Sequence, residues 1–406
     1  MGTVAPEIAT VRAWLSANAR PISDTDPGHT GPDLDPLIHR LATATVVGLG
    51  ESTRFSRQIY GMQERVFRAL VERHGFRGLA IQDSAGSGER WDRYVRTGTG
   101  DPESVLAGSW RPWRTTETIA ALNWIRAFNQ AHPDDQVRVF GVQPPNAEPA
   151  DYDLVLDYVR RIAPDRLAAI ETHLTPIRTA HQLDEHVQRH QGIHPGRPFA
   201  EDARDALALL ESLPATPEYA QVRTHMERIL DFHENSVAGQ GGFARDERLS
   251  GLRVIDRQRE TGAKIVYWDG IAHTTNLRLD MGAAEFRGVG AYLHEEYGTG
   301  YVSVALGFHH GDLGRTIAPD PLPDLVDALL GSVDLPAYYV DLRAEAPEAV
   351  RAWRSGPAKA RVISGIYDPA EDAGANITVA SLAGAFDVLV HIRETSPVHW
   401  LHVGDQ

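Results

Sequence analysis

The stretch "VVGLGESTRF" closes an apolar, β-branched run with a carboxylate, Glu51, and follows it at once with Ser52, Thr53 and Arg54. A carboxylate at the end of a buried strand suits a general base, or a group that orients one. A helix cap or a solvated charge is the alternative, and Ser52 and Thr53 are themselves candidate N-caps. Arg54 suits a carboxylate, phosphate or enolate oxygen, or else an ion pair with Glu51 at three-residue spacing. The stretch "KIVYWDGIAHTTN" repeats the pattern: a strand, then Asp269, Gly270 and His273. "AIQDS" adds Gln82 and Asp83, and "ALGFHHGDLG" adds His309, His310 and Asp312. Neighbouring residues of a strand face opposite sides, so at most one of His309 and His310 enters a shared pocket. One proton donor and one acceptor, from His273 and Glu51 or from Asp83 and one of those histidines, are enough for acid–base chemistry.

The chain contains no cysteine, which excludes disulfides, thiolate metal ligands and a thiol nucleophile. No compact histidine and carboxylate ligand set stands out, so the expectation is a metal-independent site without a cofactor. A net charge of −15 and the lack of any Lys/Arg run argue against a nucleic-acid partner. The opening residues "MGTVAPEIATVRAWLSANARP" hold no apolar signal region, Pro6 breaks a myristoylation pattern, and no long apolar segment spans a membrane. The expectation is a cytoplasmic protein that handles a small molecule.

What must position these groups is a sheet. Runs such as "TATVVGLG", "GLAIQ", "QVRVFGV", "AKIVYW", "YVSVALGF", "YYVDL", "ARVISGIY" and "AFDVLVHI" read as buried strands. Amphipathic helices lie between several of them, as over 55–74, where Ile59, Met62, Val66, Phe67 and Leu70 recur at helical spacing. That alternation predicts an α/β fold with a mainly parallel sheet flanked by helices, whose ligands bind at the carboxyl ends of the strands. From about 150 to 260 the periodicity turns helical. The chain therefore divides into a first half of the α/β core (1–149), a helical insertion roofing the cleft (150–260) and a second half of the core (261–406). Eight tryptophans suit aromatic walls or core, with Trp91, Trp110, Trp113 and Trp268 near the motifs. Trp400 and Leu401 predict an ordered tail.

The order of these blocks resembles the erythromycin esterase family. "GLGESTRF", "HGFRGLAIQ", "WRPWRTTETIAALNWIRAFNQ", "VRVFGVQ", "FARDERL", "KIVYWDGIAH", "AYLHEEYGTGYVSVALGF" and "AFDVLVHIRETSP" carry the resemblance over roughly 41–397. Its more specific parts are W-R-T-x-E (Trp113, Arg114, Thr115, Glu117) and F-D-x-L-x-x-I-x-E-T-x-P from Phe386. The resemblance implies a deep cleft roofed by a helical insertion and, in the family's enzymes, metal-free hydrolysis of a macrolide lactone through water activated by Glu and His. Against that pattern, Arg54 stands where the family's G-E-x-x-H motif has histidine. Gln63 replaces an arginine, Gln82 a glutamate, and Gly270 and Ile271 the first histidine and the asparagine of A-H-N-x-H. Glu51 and His273 match.

These departures point away from the family's own route. The reading is a tailoring enzyme of small-molecule, secondary metabolism that uses acid–base chemistry (cyclisation, elimination or isomerisation) on a polyketide-, terpenoid- or peptide-like substrate. Glu51, His273 and Arg54 are its catalytic candidates. Gln63, Gln82, Asp83, Trp113, Arg114, Asp269, His309 and His310 are its binding candidates. An ester or lactone hydrolase with a rearranged site is the alternative from the same class, and a non-catalytic binding protein is the alternative from another.

Overall fold

A nine-stranded sheet organises the computed structural model, which describes residues 8–143, 147–214, 216–242, 246–280, 285–365 and 367–401. Outside these lie the opening residues 1–7, residues 243–245 of "FARDERL", Ile366 of "ARVISGIY" and the last five residues. The main strands are β1 (Val46–Glu51), β2 (Phe76–Ser84), β3 (Arg138–Gln143), β4 (Lys264–Gly270), β5 (Tyr301–Asp312), β6 (Ala337–Asp341) and β7 (Val388–Thr395). They run β6-β7-β5-β1-β4-β2-β3, with Arg20–Pro21 beyond β6 and Ile317–Ala318 folded back on the end of β5. From β7 to β3 every pairing is parallel, and β6 is antiparallel to β7. "ARVISGIY" departs from the rest: Ala358–Arg361 pairs with Asn376–Val379 in a separate two-stranded sheet.

Side chains alternate across the strands and build a core on each face. Val47, Leu49, Leu79, Ile81, Val266, Trp268, Val304 and Leu306 pack with α1 (Arg57–His74) and α2 (Thr116–Ala131). Val46, Ala80, Ile265 and Tyr267 face the other way. Trp91, Trp113 and Trp268 are buried in the first core, so they are packing residues and not cleft walls. α1 is capped by Ser56, whose Oγ accepts from the Ile59 amide, and it stops at Gly75 in the left-handed region. Arg54 therefore sits in the turn before this helix and not on its first residue, and neither Ser52 nor Thr53 is the N-cap.

Gly48 and Gly50 serve close packing within the chain. A Cβ at Gly48 would lie 2.2 Å from the Tyr301 hydroxyl, and one at Gly50 2.1 Å from Thr274 Oγ1 and 2.8 Å from Ile271 Cα. What approaches the backbone is Tyr301, at the start of β5, at Gly48 and the turn after β4 at Gly50.

The helices between residues 149 and 234 bury their own cluster, including Tyr152, Tyr158, Phe199, Leu210 and Met226. The helix Arg248–Thr261 differs, because its Val254 and Ile255 pack on the sheet against Val46, Ala80 and Tyr267. The described part of the tail is tied down: the amides of Thr116 and Leu401 donate to His399 O and Arg114 O, and His399 pairs with Glu117. These bonds set W-R-T-x-E beside the residues that follow the closing motif.

Candidate active site

The strands β5, β1, β4 and β2 are neighbours, and their carboxyl ends present the chemical groups together. Glu51 pairs in register with Gly270, and Ile81 with Trp268, so Glu51, Gln82 and Asp269 emerge at one level of the edge. His273 follows on the short helix Ile271–Thr274. Among them lies the Arg54 guanidinium. Its Nε is 2.9 Å from Glu51 Oε1, its Nη2 is 2.5 Å from Gln82 Oε1 and 3.3 Å from Asp269 Oδ1, and its Cζ is 3.9 Å from the centre of the Trp110 ring. Gln63 reaches Glu51 Oε2 at 3.4 Å and anchors on Leu49 O at 2.9 Å. Both oxygens of Glu51 are thus engaged.

His273 is held by a residue absent from the candidates named above, Glu247. Both Glu247 carboxylate oxygens lie 2.9 Å from His273 Nδ1. This orients the ring and turns Nε2 toward Asp269 Oδ1 at 3.9 Å, beyond hydrogen-bond reach. Glu247 belongs to the quoted "FARDERL", but a glutamate in a helical, acidic stretch carries no mark of this role until the insertion folds back on the strand ends. Asp269 also accepts from the Tyr267 hydroxyl and from the Gly270 amide.

Burial dominates the electrostatics. It pushes the Asp269 carboxyl up to about 7, against the pull of His273 and Arg54 and with help from Glu247 and Glu51. Burial also raises Glu51, opposed mainly by Arg54. It works against the charged form of His273, but the carboxylates of Asp269 and Glu247 outweigh it and hold the imidazole above its ordinary value. At neutral pH the edge therefore holds a fixed cation, a carboxyl near its midpoint and an oriented imidazole.

The other sequence candidates fall into two groups. Asp83 accepts from the amides of Ser84 and Trp110, and burial raises it to about 6. Trp113 Nε1 donates to Gln82 O, and Arg114 donates to Ser109 O and to His181 O of the insertion. These three brace the β2 end and its roof. Trp110 connects them to the site, since it stacks on Arg54 while its Nε1 bonds Asp184 of the insertion at 3.3 Å. His309 and His310 gather instead with Asp320, and no contact joins them to Glu51 or His273 among the described residues. The i,i+4 pair His186 and His190, passed over in the sequence, meets no third metal-ligating side chain among the described residues.

With that geometry in hand, known proteins supply the family. The model of the family described as erythromycin esterase matches residues 71–395. The chain belongs to the erythromycin esterase family. Three solved structures share the fold of this family member at low identity. A succinoglycan biosynthesis protein is 22% identical, with a TM-score of 0.64 and 97% of each chain covered. A protein from Bacillus cereus is 22% identical, with a TM-score of 0.66, covering 98% of this chain and 100% of the other. An erythromycin esterase, a histidine-to-asparagine mutant in its open conformation, is 14% identical, with a TM-score of 0.56 and coverage of 94% and 98%. No curated protein matches the chain significantly. No helix among the described residues is long and apolar enough to cross a membrane.

The position where the family resemblance expects a first histidine is telling in this family member. A Cβ at Gly270 would stand 3.1 Å from His273 Cδ2, 3.2 Å from Arg54 Nη2 and 3.8 Å from Glu51 Oε1. A side chain there would enter the centre of the site, and Arg54 already fills that space.

Proposed function

We propose that the protein is an acid–base enzyme acting on a small organic substrate at the Glu51–Arg54–Asp269–His273 edge. His273, oriented by Glu247, exchanges a proton through Nε2. Asp269 serves as the partner acid, and Arg54 steadies negative charge that develops on a substrate oxygen. Glu51 pairs with Arg54 through Oε1 and with Gln63 through Oε2, and it positions Arg54. The observation that carries this reading is the Glu247 clasp on His273 Nδ1, which turns Nε2 toward the Asp269 carboxyl. Ser52 Oγ, Thr53 Oγ1 and Arg54 Nη1 add support: they are buried polar atoms of consecutive residues with no partner among the described residues, as a polar substrate would require.

A base, an acid and a fixed cation are sufficient for isomerisation, cyclisation or elimination of a substrate bearing a carbonyl or carboxylate, the tailoring chemistry of secondary metabolism. Membership of an esterase family favours a second reading, ester or lactone hydrolysis with water activated by His273 in place of Glu51. Mass spectrometry of a small-molecule panel incubated with the enzyme separates the two. Isomerisation and cyclisation leave the mass unchanged, elimination lowers it, and hydrolysis adds the mass of one water. A fourteen-membered macrolide lactone is expected to stay intact, and its opening well above the enzyme-free rate would return the protein to the family's own reaction. His273→Ala and Glu247→Gln should each abolish turnover while leaving the melting temperature within a few degrees. Full turnover in His273→Ala would end the proposal.

A further inference from the structure

At the end of β5 a separate group of side chains faces outward. His309 and His310 are consecutive, yet their Nδ1 atoms are 2.9 Å apart. Asp320 Oδ1 lies 3.4 Å from the first and 3.0 Å from the second. Alternation in a regular strand would separate two adjacent imidazoles; here the strand end and the returning hairpin bring them together. Ile317–Ala318 pairs back on Gly311–Asp312, so continuing the hairpin sets Asp320 opposite His309. Arg361, 1% exposed, holds the two backbone segments in place by donating through Nη1 to His309 O at 2.5 Å and Pro319 O at 2.8 Å. Its Nη2 is fixed in turn by Asp372 at 2.7 Å. The donors are therefore carried on braced backbone and not on a loose loop.

From these distances we infer that His309, His310 and Asp320 bind one divalent transition-metal ion. The three donor atoms form a triangle with sides of 2.9, 3.4 and 3.0 Å. A point about 2.1 Å from all three, the usual Zn–N and Zn–O distance, exists about 1 Å off their plane. An ion there has three protein ligands on one face and open positions toward solvent, because the side chains of His310 and Asp320 are 37% and 76% exposed. Two imidazole nitrogens and one carboxylate oxygen suit Zn²⁺, Co²⁺, Ni²⁺ or Cu²⁺ better than Mg²⁺ or Ca²⁺. Binding needs both rings in the tautomer with the proton on Nε2, which breaks the present Nδ1 to Nδ1 hydrogen bond without changing the charge of either ring. The inference stands apart from the acid–base reading, since none of its residues belongs to that site.

The test uses tag-free full-length protein, stripped with chelator and titrated with Co²⁺ while the visible ligand-field absorption is recorded. One ion per chain is expected, displaced by Zn²⁺. His310→Gln and Asp320→Asn each remove a ligand and should weaken binding at least about tenfold, the least that loss of even an outer-shell partner costs. Both side chains reach solvent, so the variants should melt with the unliganded wild type, and circular dichroism confirms that they fold. Failure of the wild type to take up Co²⁺ or Zn²⁺ at 100-fold excess overturns the inference, as does unchanged affinity in both variants.

Discussion

Replacing Arg54 by methionine keeps most of the length and apolar contact of the side chain and removes the cation. In the wild type that cation sits 2.9 Å from Glu51 and 3.3 Å from Asp269, carboxyls that are 5% and 1% exposed. Stranding a buried carboxylate by deleting its partner costs about 3–5 kcal/mol, and this is the expected loss near pH 8. Two lesser losses accompany it: the hydrogen bond to Gln82 and the stacking on Trp110, together about 1–2 kcal/mol. Burial already raises both carboxyls, Asp269 to about 7, and Arg54 opposes it in each. Without Arg54 they rise further, so the folded variant holds more protons than the folded wild type, and its stability falls more steeply as pH increases. At pH 5, below the value of about 7 for Asp269, that carboxyl is protonated, its stranding cost falls away and the smaller losses remain. Urea unfolding of wild type and Arg54→Met at pH 5 and pH 8 should therefore give a difference about 3–5 kcal/mol larger at pH 8. A cost below about 0.5 kcal/mol at both values means that Arg54 is a solvated surface charge. A cost that grows on acidification reverses the predicted sign. Either result refutes the account of the site.

Two other outcomes follow from the same geometry. Glu247→Gln removes one of the carboxylates that hold His273 above its ordinary pKa, so the ring should titrate lower when followed by NMR of the imidazole protons. A histidine raised on folding contributes stability below its unfolded pKa and loses it as pH rises through the folded value, so this substitution should cost more at pH 5 than at pH 9. Gly50→Ala places a methyl 2.8 Å from the Ile271 backbone and should destabilise the protein by about 2–3 kcal/mol in a thermal melt, whereas a neutral result would show that the turn after β4 can yield.

Much of the sheet was legible because its central strands are buried on both faces and write their positions as unbroken apolar runs. "TATVVGLG", "AKIVYW" and "YVSVALGF" become β1, β4 and β5, side by side. "ARVISGIY" carries the same apolar signal but belongs to a two-stranded sheet, because composition states burial and not which edge a strand joins. The groups gathered at the sheet edge were legible where a carboxylate closes a strand or a histidine lies just beyond one, as at Glu51, Asp269 and His273. Glu247 was not, since its approach to His273 depends on how the chain returns from the insertion. Asp320 escaped notice for a related reason: a hairpin, not sequence spacing, delivers it to His309 and His310.

The residues that stand where the family resemblance implies other groups interlock. Gln63 Nε2 lies 3.4 Å from Glu51 Oε2, on the far side of the carboxylate from Arg54. An arginine at that position would bring a second guanidinium within roughly 5 Å of the first, a repulsion on the order of 3 kcal/mol at the effective dielectric of such sites. A glutamate at Gln82 would give Arg54 a third carboxylate to neutralise with one charge, whereas the amide offers an acceptor at 2.5 Å and no charge. An imidazole at Gly270 would have to pass through the space of Arg54 and His273. Once Arg54 is present, neutral groups at 63 and 82 and no side chain at 270 are what the geometry accepts, and returning any one of them alone leaves a clash or an unbalanced charge. Three positions around one guanidinium thus fit the charge and space that Arg54 leaves them.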